Sequence, residues 1–323
     1  MQPMPGGPPL HWRLRRLQRY VPRLIIDAGK GIEDSVLLVG GGRTGTTWVS
    51  NVLNWRNDYR YLYEPFHGGN VRITADFIPH IYLRPDNDDP RYLEPARRIF
   101  TGRVRDWWID HQNRKMYARK RLIKDVNTML ALRWVYEHFS GMPIVVLMRH
   151  PFATAVSRMQ MKWSGRIGVF LDQPDLVADH LQPFADALRA EDDVFMRQLI
   201  FWCIDYAVCL RQFRRGQVYI TFYERISRNP EAELPGLCRF LGVAWNPRMV
   251  DAISVPSIQA KRSRRATPSA IVSGGDVLSG WRKHVTPERL ERGTSLLRSF
   301  GLDTIYGDAD VPNPDAAYAL MRP

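Results

Sequence analysis

The stretch SVLLVGGGRTGTTWVSNVL, residues 35–53, carries the clearest structural signal in the chain. Its first five residues form an apolar run of strand length, and the apolar positions of residues 46–54 have helical spacing. Between them stands GGGRTGTT, residues 40–47, with the frame G-x-x-x-x-G-x-T. A glycine loop that leaves a strand and opens a helix offers backbone N–H groups to a phosphate. The stretch therefore predicts a phosphate-binding loop in an α/β domain.

The alternation of strand and helix patterns continues along the chain. Further strands are predicted at residues 59–63, 121–124, 143–148 and 217–222. Further helices are predicted at residues 128–139, 151–161, 192–215 and 230–241. Strands that are separated by helices favour a parallel sheet. The pattern predicts a single P-loop-type α/β domain with a central parallel sheet flanked by helices.

The domain is predicted to span residues 31–305. Residues 1–30 form an N-terminal tail and a basic amphipathic helix, which either packs on the domain or contacts an anionic membrane surface. Residues 68–120 are dense in Pro, Asp and Arg and are predicted to be an irregular insertion that shapes the acceptor site. Residues 306–323 are predicted to be a C-terminal tail.

Composition and charge indicate which classes of partner and which compartment to expect. The 323 residues carry a formal charge of +13, which indicates a polyanionic partner: nucleic acid, an acidic membrane, or a multiply phosphorylated small molecule. Cys203, Cys209 and Cys238 have neither the number of a disulfide framework nor metal-ligand spacing, so a reducing compartment and no metal are expected. No apolar run approaches the ~18 residues of a membrane span. We expect a cytoplasmic protein, open to peripheral contact with the inner membrane surface.

A second anion-binding element follows the strand at residues 143–148. Arg149 leaves the carboxyl end of that strand, and Ser157 lies about two turns along the next helix, on the face that Arg149 reaches. A guanidinium with a hydroxyl suits a phosphate monoester. In the first loop, Thr46 stands where an ATP or GTP hydrolase has its lysine, and the nearest cation is Arg43. Two phosphate sites without that lysine disfavour a conventional NTPase.

These two elements resemble those of sulfotransferases that use 3′-phosphoadenosine 5′-phosphosulfate (PAPS). GGRTGTTWVSNVL is similar to their donor loop P-[KR]-[ST]-G-[TS]-[TS]-[WFL], with Gly42 in place of the proline. VVLMRHPFATAVSRM is similar to their 3′-phosphate element R-[DN]-P-x-x-x-x-x-S, with His150 in place of the acidic or amide residue. The resemblance implies PAPS as donor, the bisphosphate PAP as product, and no metal.

The resemblance also implies roles for single residues in donor binding. Arg43 lies near the sulfuryl group, Thr46 and Thr47 bind the 5′-phosphate, and Arg149 and Ser157 bind the 3′-phosphate. The matching loop also includes Thr44 and Gly45. Trp48 either stacks on adenine or faces the core, and both alternatives stay open.

Catalytic residues are implied in the same way. Lys124 ends the strand RLIKD, where family members have a lysine beside the sulfuryl oxygens; the alternative is a surface lysine. The histidine of the cytosolic K-T-H pattern is missing. Glu64 in LYEP resembles the glutamate of the carbohydrate and tyrosylprotein branches and is our candidate general base, with Asp125 as the second candidate. Alternatively, Glu64 only holds an arginine in place.

A late segment, with GGD at residues 274–276 and GWRK at 280–283, resembles the part of the family that closes over the donor. Arg262, Arg264 and Arg265 precede it, and Arg265 is our candidate for the 3′-phosphate. Glu224, in an element resembling [YF]-E-[DR]-[LI], is expected to be structural.

The leading hypothesis is a sulfotransferase acting on a hydroxyl of a carbohydrate or glycolipid, for which Trp107, Trp108 and Trp163 offer apolar faces. One alternative is a P-loop kinase or NTPase, and another is a non-enzymatic binder of anionic surfaces. Nucleic acid is not the expected partner. No motif in the sequence indicates the identity of the acceptor or the oligomeric state.

Overall fold

Five of the seven strands in the described part of the chain form the main sheet. The computed structural model describes residues 24–254, 278–307 and 309–322. Its strands are β1 (Ile26–Asp27), β2 (Ser35–Val39), β3 (Tyr59–Tyr63), β4 (Tyr117–Ala118), β5 (Lys120–Asp125), β6 (Ile144–Met148) and β7 (Tyr219–Phe222). Five of them form a parallel sheet in the order β3-β5-β2-β6-β7, while β1 pairs with β4. The predicted α/β fold with a central parallel sheet is confirmed.

Helices connect the strands and cover both faces of the sheet. They are α1 (Thr46–Leu53), α2 (Pro90–Phe100), α3 (Trp107–Asp110), α4 (Leu132–His138), α5 (Pro151–Gln160), α6 (Gly168–Leu171), α7 (Pro174–Leu176), α8 (Ala185–Ala190), α9 (Val194–Gln212), α10 (Tyr223–Arg228), α11 (Pro230–Phe240), α12 (Pro287–Ser299), α13 (Asp303–Tyr306) and α14 (Pro314–Ala319). None of these helices combines the length and the apolar character that a membrane span requires.

The core lies on both faces of the sheet, because β2 and β6 are buried along their whole length. Successive side chains of a strand point to opposite faces. Leu37 and Val39 accordingly join the larger hydrophobic cluster with α5 and α9, whereas Val36 and Leu38 join the smaller cluster with α1 and α11. Full burial of one such side chain contributes about 1.5–3 kcal/mol. The apolar strand runs therefore account for the sheet.

Parallel strands bring functional residues to one edge of this sheet. Val39 pairs with Asp125, Tyr63 pairs with Lys124, and β6 ends at the residue before Arg149. The carboxyl ends of β2, β3, β5 and β6 therefore meet at the edge where open α/β sheets bind ligands.

Helix boundaries differ from the prediction where capping side chains intervene. Residues 128–139 were expected as one helix, but the 3₁₀ turn Met129–Ala131 precedes α4. Asp125 causes this turn, because one of its oxygens accepts from the amides of Asn127 and Thr128 at 2.7 and 3.1 Å. The long helix α9 begins after Asp193, whose carboxylate accepts from the amide of Phe195 at 2.7 Å.

Residues 68–120 are more regular than predicted, since they contain α2 and α3. Asp89 caps α2 by accepting from the amide of Arg91 at 2.9 Å. Ile99 and Phe100 at the end of α2 are fully buried in the larger cluster. Only a few apolar positions face the core among the prolines and arginines of this helix, so its periodicity is weak in the sequence. The segment forms part of the domain core.

The C-terminal segment also packs on the domain. Residues 306–323 were predicted to be a tail, yet they contain α14, and Ala317 and Met321 join the larger hydrophobic cluster. The hydroxyl of Tyr318 accepts from the amide of Ile220 in β7 at 3.3 Å. The predicted N-terminal amphipathic helix lies almost entirely outside the described residues.

Candidate active site

The loop GGGRTGTT, residues 40–47, leaves β2 and enters α1 as predicted. Gly45 has φ of +97°, which favours glycine. A Cβ on Gly40 would lie 2.6 Å from the carbonyl oxygen of Leu147, and one on Gly45 would lie 2.7 Å from the ring of Tyr223. Inside the loop, the Thr44 hydroxyl donates to the carbonyl of Gly41 at 2.7 Å. The glycines therefore let the loop pass close to its neighbours.

The first turn of α1 provides the other part of a phosphate cradle. Thr46 and Thr47 begin this helix, and both are buried. The first amides of a helix have no partner in a preceding turn, and the helix dipole places partial positive charge there. A phosphate or sulfate group fits this combination of backbone donors and hydroxyls.

The two predicted anion elements are contiguous in the structure. The Arg43 side chain donates from Nε to the hydroxyl of Ser157 at 3.1 Å. Arg149 donates from Nη1 to the Arg43 carbonyl at 3.1 Å, and its guanidinium lies 4.5 Å from the ring centre of Tyr223. Among the described residues, Nε of Arg149 is buried without a hydrogen-bond partner. An unpaired cationic donor beside the loop fits an anionic ligand.

Burial and charge both act on Arg43. Burial lowers the pKa of its guanidinium, and the nearby Arg149 lowers it further. Two close arginines repel each other, so an anion placed between them would relieve that repulsion. The electrostatics therefore favour a polyanion at the loop.

Glu64 and Lys124 meet at the ends of β3 and β5. The Lys124 ammonium donates to Oε1 of Glu64, and the amide of Glu64 donates to the Lys124 carbonyl at 2.8 Å. The Lys124 ammonium also lies 5.0 Å from the ring centre of Tyr63. The Lys124 side chain is 2% exposed and that of Glu64 is 13% exposed. The alternative of a surface lysine is therefore wrong, and the partner that Glu64 holds is this lysine.

Asp125, the second candidate base, is fully buried at 0% exposure. Its carboxylate accepts from the amides of Asn127, Thr128 and Phe66 at 2.7, 3.1 and 3.2 Å. Burial raises the pKa of Asp125 to about 6, against the lowering effect of the backbone hydrogen bonds. These contacts give Asp125 a structural role in the turn after β5.

Trp48 faces the interior of the domain. Its side chain belongs to the smaller hydrophobic cluster, and the residue is 3% exposed. The indole N–H donates to the carbonyl of Ile253 at 2.9 Å, and the ring centre lies 5.0 Å from that of Tyr223. Of the two alternatives for Trp48, the structure has the one in which the ring faces the core. Little of the ring is free to stack on a nucleotide base.

Glu224 has the structural role that the sequence indicated. One of its oxygens accepts from the amide of His150 at 2.8 Å, and the other accepts from the hydroxyl of Tyr306 at 3.2 Å. Burial raises the pKa of Glu224 to about 7. This carboxylate joins α5, α10 and α13 behind Arg149.

Sequence reasoning missed a buried group that supports the loop from behind. Arg158 donates from Nε to the Gly42 carbonyl at 3.0 Å, and its Nη2 lies 3.9 Å from Asp205 Oδ2. His80 approaches the other oxygen of Asp205 through Nδ1 at 2.9 Å. An aspartate inside the apolar run FWCIDYAVCL was the available signal, because a buried charge requires a partner.

The predictions for Arg262, Arg264, Arg265 and the glycines at 274 and 275 lie outside the described residues. Across residues 24–254, 278–307 and 309–322, no three His, Cys, Asp or Glu side chains come together in a way that could hold a metal ion.

Solved structures similar to the chain include three sulfotransferases. The sulfotransferase domain from the curacin biosynthetic pathway is 15% identical, with 83% of this chain and 98% of that chain covered and a TM-score of 0.46. The domain from the Synechococcus PCC 7002 olefin synthase is 13% identical, with 84% and 96% covered and a TM-score of 0.45. Mouse sulfotransferase SULT7A1, complexed with PAP, is 15% identical, with 93% and 90% covered and a TM-score of 0.41.

Sequence comparison with protein families gives a match over most of the chain. No curated protein matches the sequence. The model of the family described as "Sulfotransferase family" matches residues 35–247, which include the loop, Glu64, Lys124, Arg149 and Ser157. This match spans more than half of the 323 residues. The chain belongs to the sulfotransferase family.

Proposed function

We propose that the chain transfers the sulfuryl group of PAPS to a hydroxyl of a carbohydrate or glycolipid and releases PAP. The proposal of PAPS as the donor rests on the contact of Arg43 with both Ser157 and Arg149. This contact joins the phosphate loop to a second cationic element, as a donor with phosphates at two positions requires. ATP has no 3′-phosphate for the second element.

The loop and the first turn of α1 would hold the 5′-phosphosulfate, through Thr44, Gly45, Thr46 and Thr47. Arg149 and Ser157 would hold the 3′-phosphate. When bound, PAPS supplies a sulfuryl group whose bond to the 5′-phosphate breaks as the acceptor oxygen attacks. Negative charge spreads over the oxygens in such a transfer, so cations stabilise it. Arg43 and Lys124 are the cations at this edge of the sheet that we assign to that role.

Glu64 is the proposed general base. It follows β3 at the same sheet edge as the loop, and its side chain is partly exposed, so an acceptor hydroxyl can reach it. In the proposed reaction the hydroxyl proton passes to the Glu64 carboxylate as the new oxygen–sulfur bond forms. Asp125 suits this role less well, because its oxygens already accept three amides.

The donor is tested by calorimetric titration of the full chain with PAP and, separately, with ATP and magnesium. We expect PAP to bind and ATP to bind at least about tenfold more weakly, since each lost charge-assisted contact costs about 1.4 kcal/mol or more. Binding of ATP without binding of PAP would refute the sulfotransferase mechanism and favour a kinase or NTPase.

The base is tested with Glu64→Gln, which keeps the shape of the side chain and removes the proton acceptor. We expect transfer from radiolabelled PAPS to a panel of p-nitrophenyl glycosides to fall about 10²–10⁴-fold, with PAP affinity unchanged within about twofold. Glu94→Gln, at an exposed position of α2, is the matched control and should keep wild-type activity. Undiminished transfer by Glu64→Gln would rule out its role as base.

A further inference from the structure

Gly42 stands where the donor loop of the resembling family has proline, and the structure gives a reason for the exchange. A Cβ on Gly42 would lie 2.6 and 2.8 Å from two ring carbons of Trp163. These distances are shorter than real contacts of a Cβ, and an aromatic ring cannot bend away as the end of a long side chain can. The indole of Trp163 therefore lies against the backbone of the donor loop.

Trp163 is held in this position by the residues behind it. Its amide donates to the Arg158 carbonyl at 3.2 Å, and its carbonyl accepts from Nε2 of Gln198 at 3.0 Å. The guanidinium of Arg158 lies 6.0 Å from the ring centre while Nε donates to the Gly42 carbonyl at 3.0 Å. Gln198 and Arg158 are buried at 1% exposure. The backbone of Trp163 is thus held at its amide and its carbonyl, and one buried side chain, Arg158, lies against both the loop and the indole.

Although it is fixed, Trp163 remains 42% exposed. The loop residue that it touches is next to Arg43, the cation that we assign to the sulfuryl group. Trp107 has the same exposure of 42%, but its ring is stacked on His111, with centroids 5.2 Å apart and planes at 25°. Of these two exposed tryptophans, Trp163 is the one that lies against the donor loop.

We propose that Trp163 is the platform on which a pyranose ring of the acceptor stacks. The C–H face of a pyranose is apolar, whereas its hydroxyls project from the ring edge, so an exposed and rigid indole can bind the face and leave a hydroxyl free to react. Stacking beside Gly42 places that hydroxyl next to the donor loop. The inference rests on the proposed function, and it adds the residue that selects the class of acceptor.

Saturation-transfer NMR with methyl glycosides tests the platform. The probes are the methyl pyranosides of glucose, galactose and mannose, added to the full chain saturated with PAP. We expect transfer to the ring protons of at least one glycoside, loss of that transfer in Trp163→Ala, and partial retention in Trp163→Phe. Trp107→Ala is the matched control and should keep the wild-type signal. PAP affinity should stay within about twofold in all three variants, since PAP itself does not need the platform.

Three results would overturn the platform: no transfer from the wild type to any of the glycosides, equal transfer in Trp163→Ala, or loss of transfer in Trp107→Ala alone. Each of them leaves the donor assignment intact as long as PAP binds. Failure of PAP to bind the wild type would instead refute the proposed function, so the two failures are distinguishable.

The close approach has an independent test in Gly42→Ala and the double variant Gly42→Ala with Trp163→Ala. The added Cβ should displace the loop, so we expect the single variant to lose PAP affinity by about tenfold. Removing the indole makes room for the Cβ, and the double variant should recover most of that affinity. Wild-type PAP affinity in Gly42→Ala, or no recovery in the double variant, would show that the indole does not press on the loop.

Discussion

Arg43 and Glu64 adopt left-handed backbone conformations, with φ of 74° and 42°. For a residue with a Cβ this region costs about 1–2 kcal/mol. Both residues follow a strand at the carboxyl edge of the sheet, and we assign both to catalysis. Glycine would fit these positions with less strain, so side-chain chemistry explains the residues found there.

The strain at Arg43 is measurable with Arg43→Gly and Arg43→Ala. Both variants lose the guanidinium and its hydrogen bond to Ser157, but only alanine keeps a Cβ at positive φ. We expect Arg43→Gly to exceed Arg43→Ala in free energy of unfolding by about 1 kcal/mol in urea titrations. Both should lose PAP affinity by at least about tenfold in calorimetry. Equal stability of the two variants would mean that the backbone at Arg43 is not strained in solution.

Local motifs made part of the site predictable. Arg43, Ser157 and Arg149 follow strands or lie in the helix after one, so their neighbours in sequence showed where they would point. Arg158 and Trp163 instead touch a loop more than a hundred positions earlier in the chain, as the separation of 116 between Arg158 and Gly42 illustrates. Such contacts depend on how α5 and α9 pack, which no local pattern encodes. Sequence reasoning therefore found Arg43, Ser157 and Arg149, but it missed Arg158 and did not place Trp163 against the loop.

The strands of the sheet were predictable for a similar reason. Residues 36–39 and 144–148 are continuous apolar runs, and burial on both faces requires such runs. The pair β1 and β4 has two residues in each strand, too few for any periodicity. Its position depends on Arg60, whose guanidinium is held by Asp27 and Asp110 at 2.9 and 2.8 Å. An ion pair of this kind between distant segments has no signature in the sequence.

The junction of α5, α10 and α13 should make stability depend on pH through Glu224. Burial raises its pKa to about 7 from an ordinary value of 4.5, so between these values the folded chain binds more protons than the unfolded chain. The free energy of unfolding therefore falls as pH rises through this window and levels off above it. The total fall is about 3 kcal/mol for such a shift. Burial of Asp125, whose pKa is raised to about 6, adds to the same slope.

Glu224→Gln removes the titrating group and keeps a side chain that can pair with His150 and Tyr306. We expect urea unfolding followed by circular dichroism between pH 4.5 and 8 to show a flatter profile for this variant than for the wild type. Glu231→Gln, at an exposed position of α11, should keep the wild-type slope. A Glu224→Gln profile as steep as that of the wild type would show that a group other than Glu224 causes the pH dependence of stability.

The net charge of +13 overstates the positive charge that is available to an external polyanion. Arg60, Arg121 and Arg158 are each at most 1% exposed. Their acidic partners are Asp27, Asp110 and Asp205. Internal cations of this kind hold segments together and are not available to an external polyanion. The charge that we assign to donor binding and transfer is local, at Arg43, Lys124 and Arg149.

The C-terminal segment tests whether the chain is one cooperative unit up to its end. Ala317 is fully buried, whereas Ala319, two residues further along α14, is exposed. Ala317→Gln must place a long polar side chain in a packed interior, so we expect the free energy of unfolding to fall by about 2–4 kcal/mol. Ala319→Gln introduces the same side chain at the surface and should change it by less than about 0.5 kcal/mol. Urea titration compares the two, and equal stabilities would show that residues 306–323 are a peripheral tail after all.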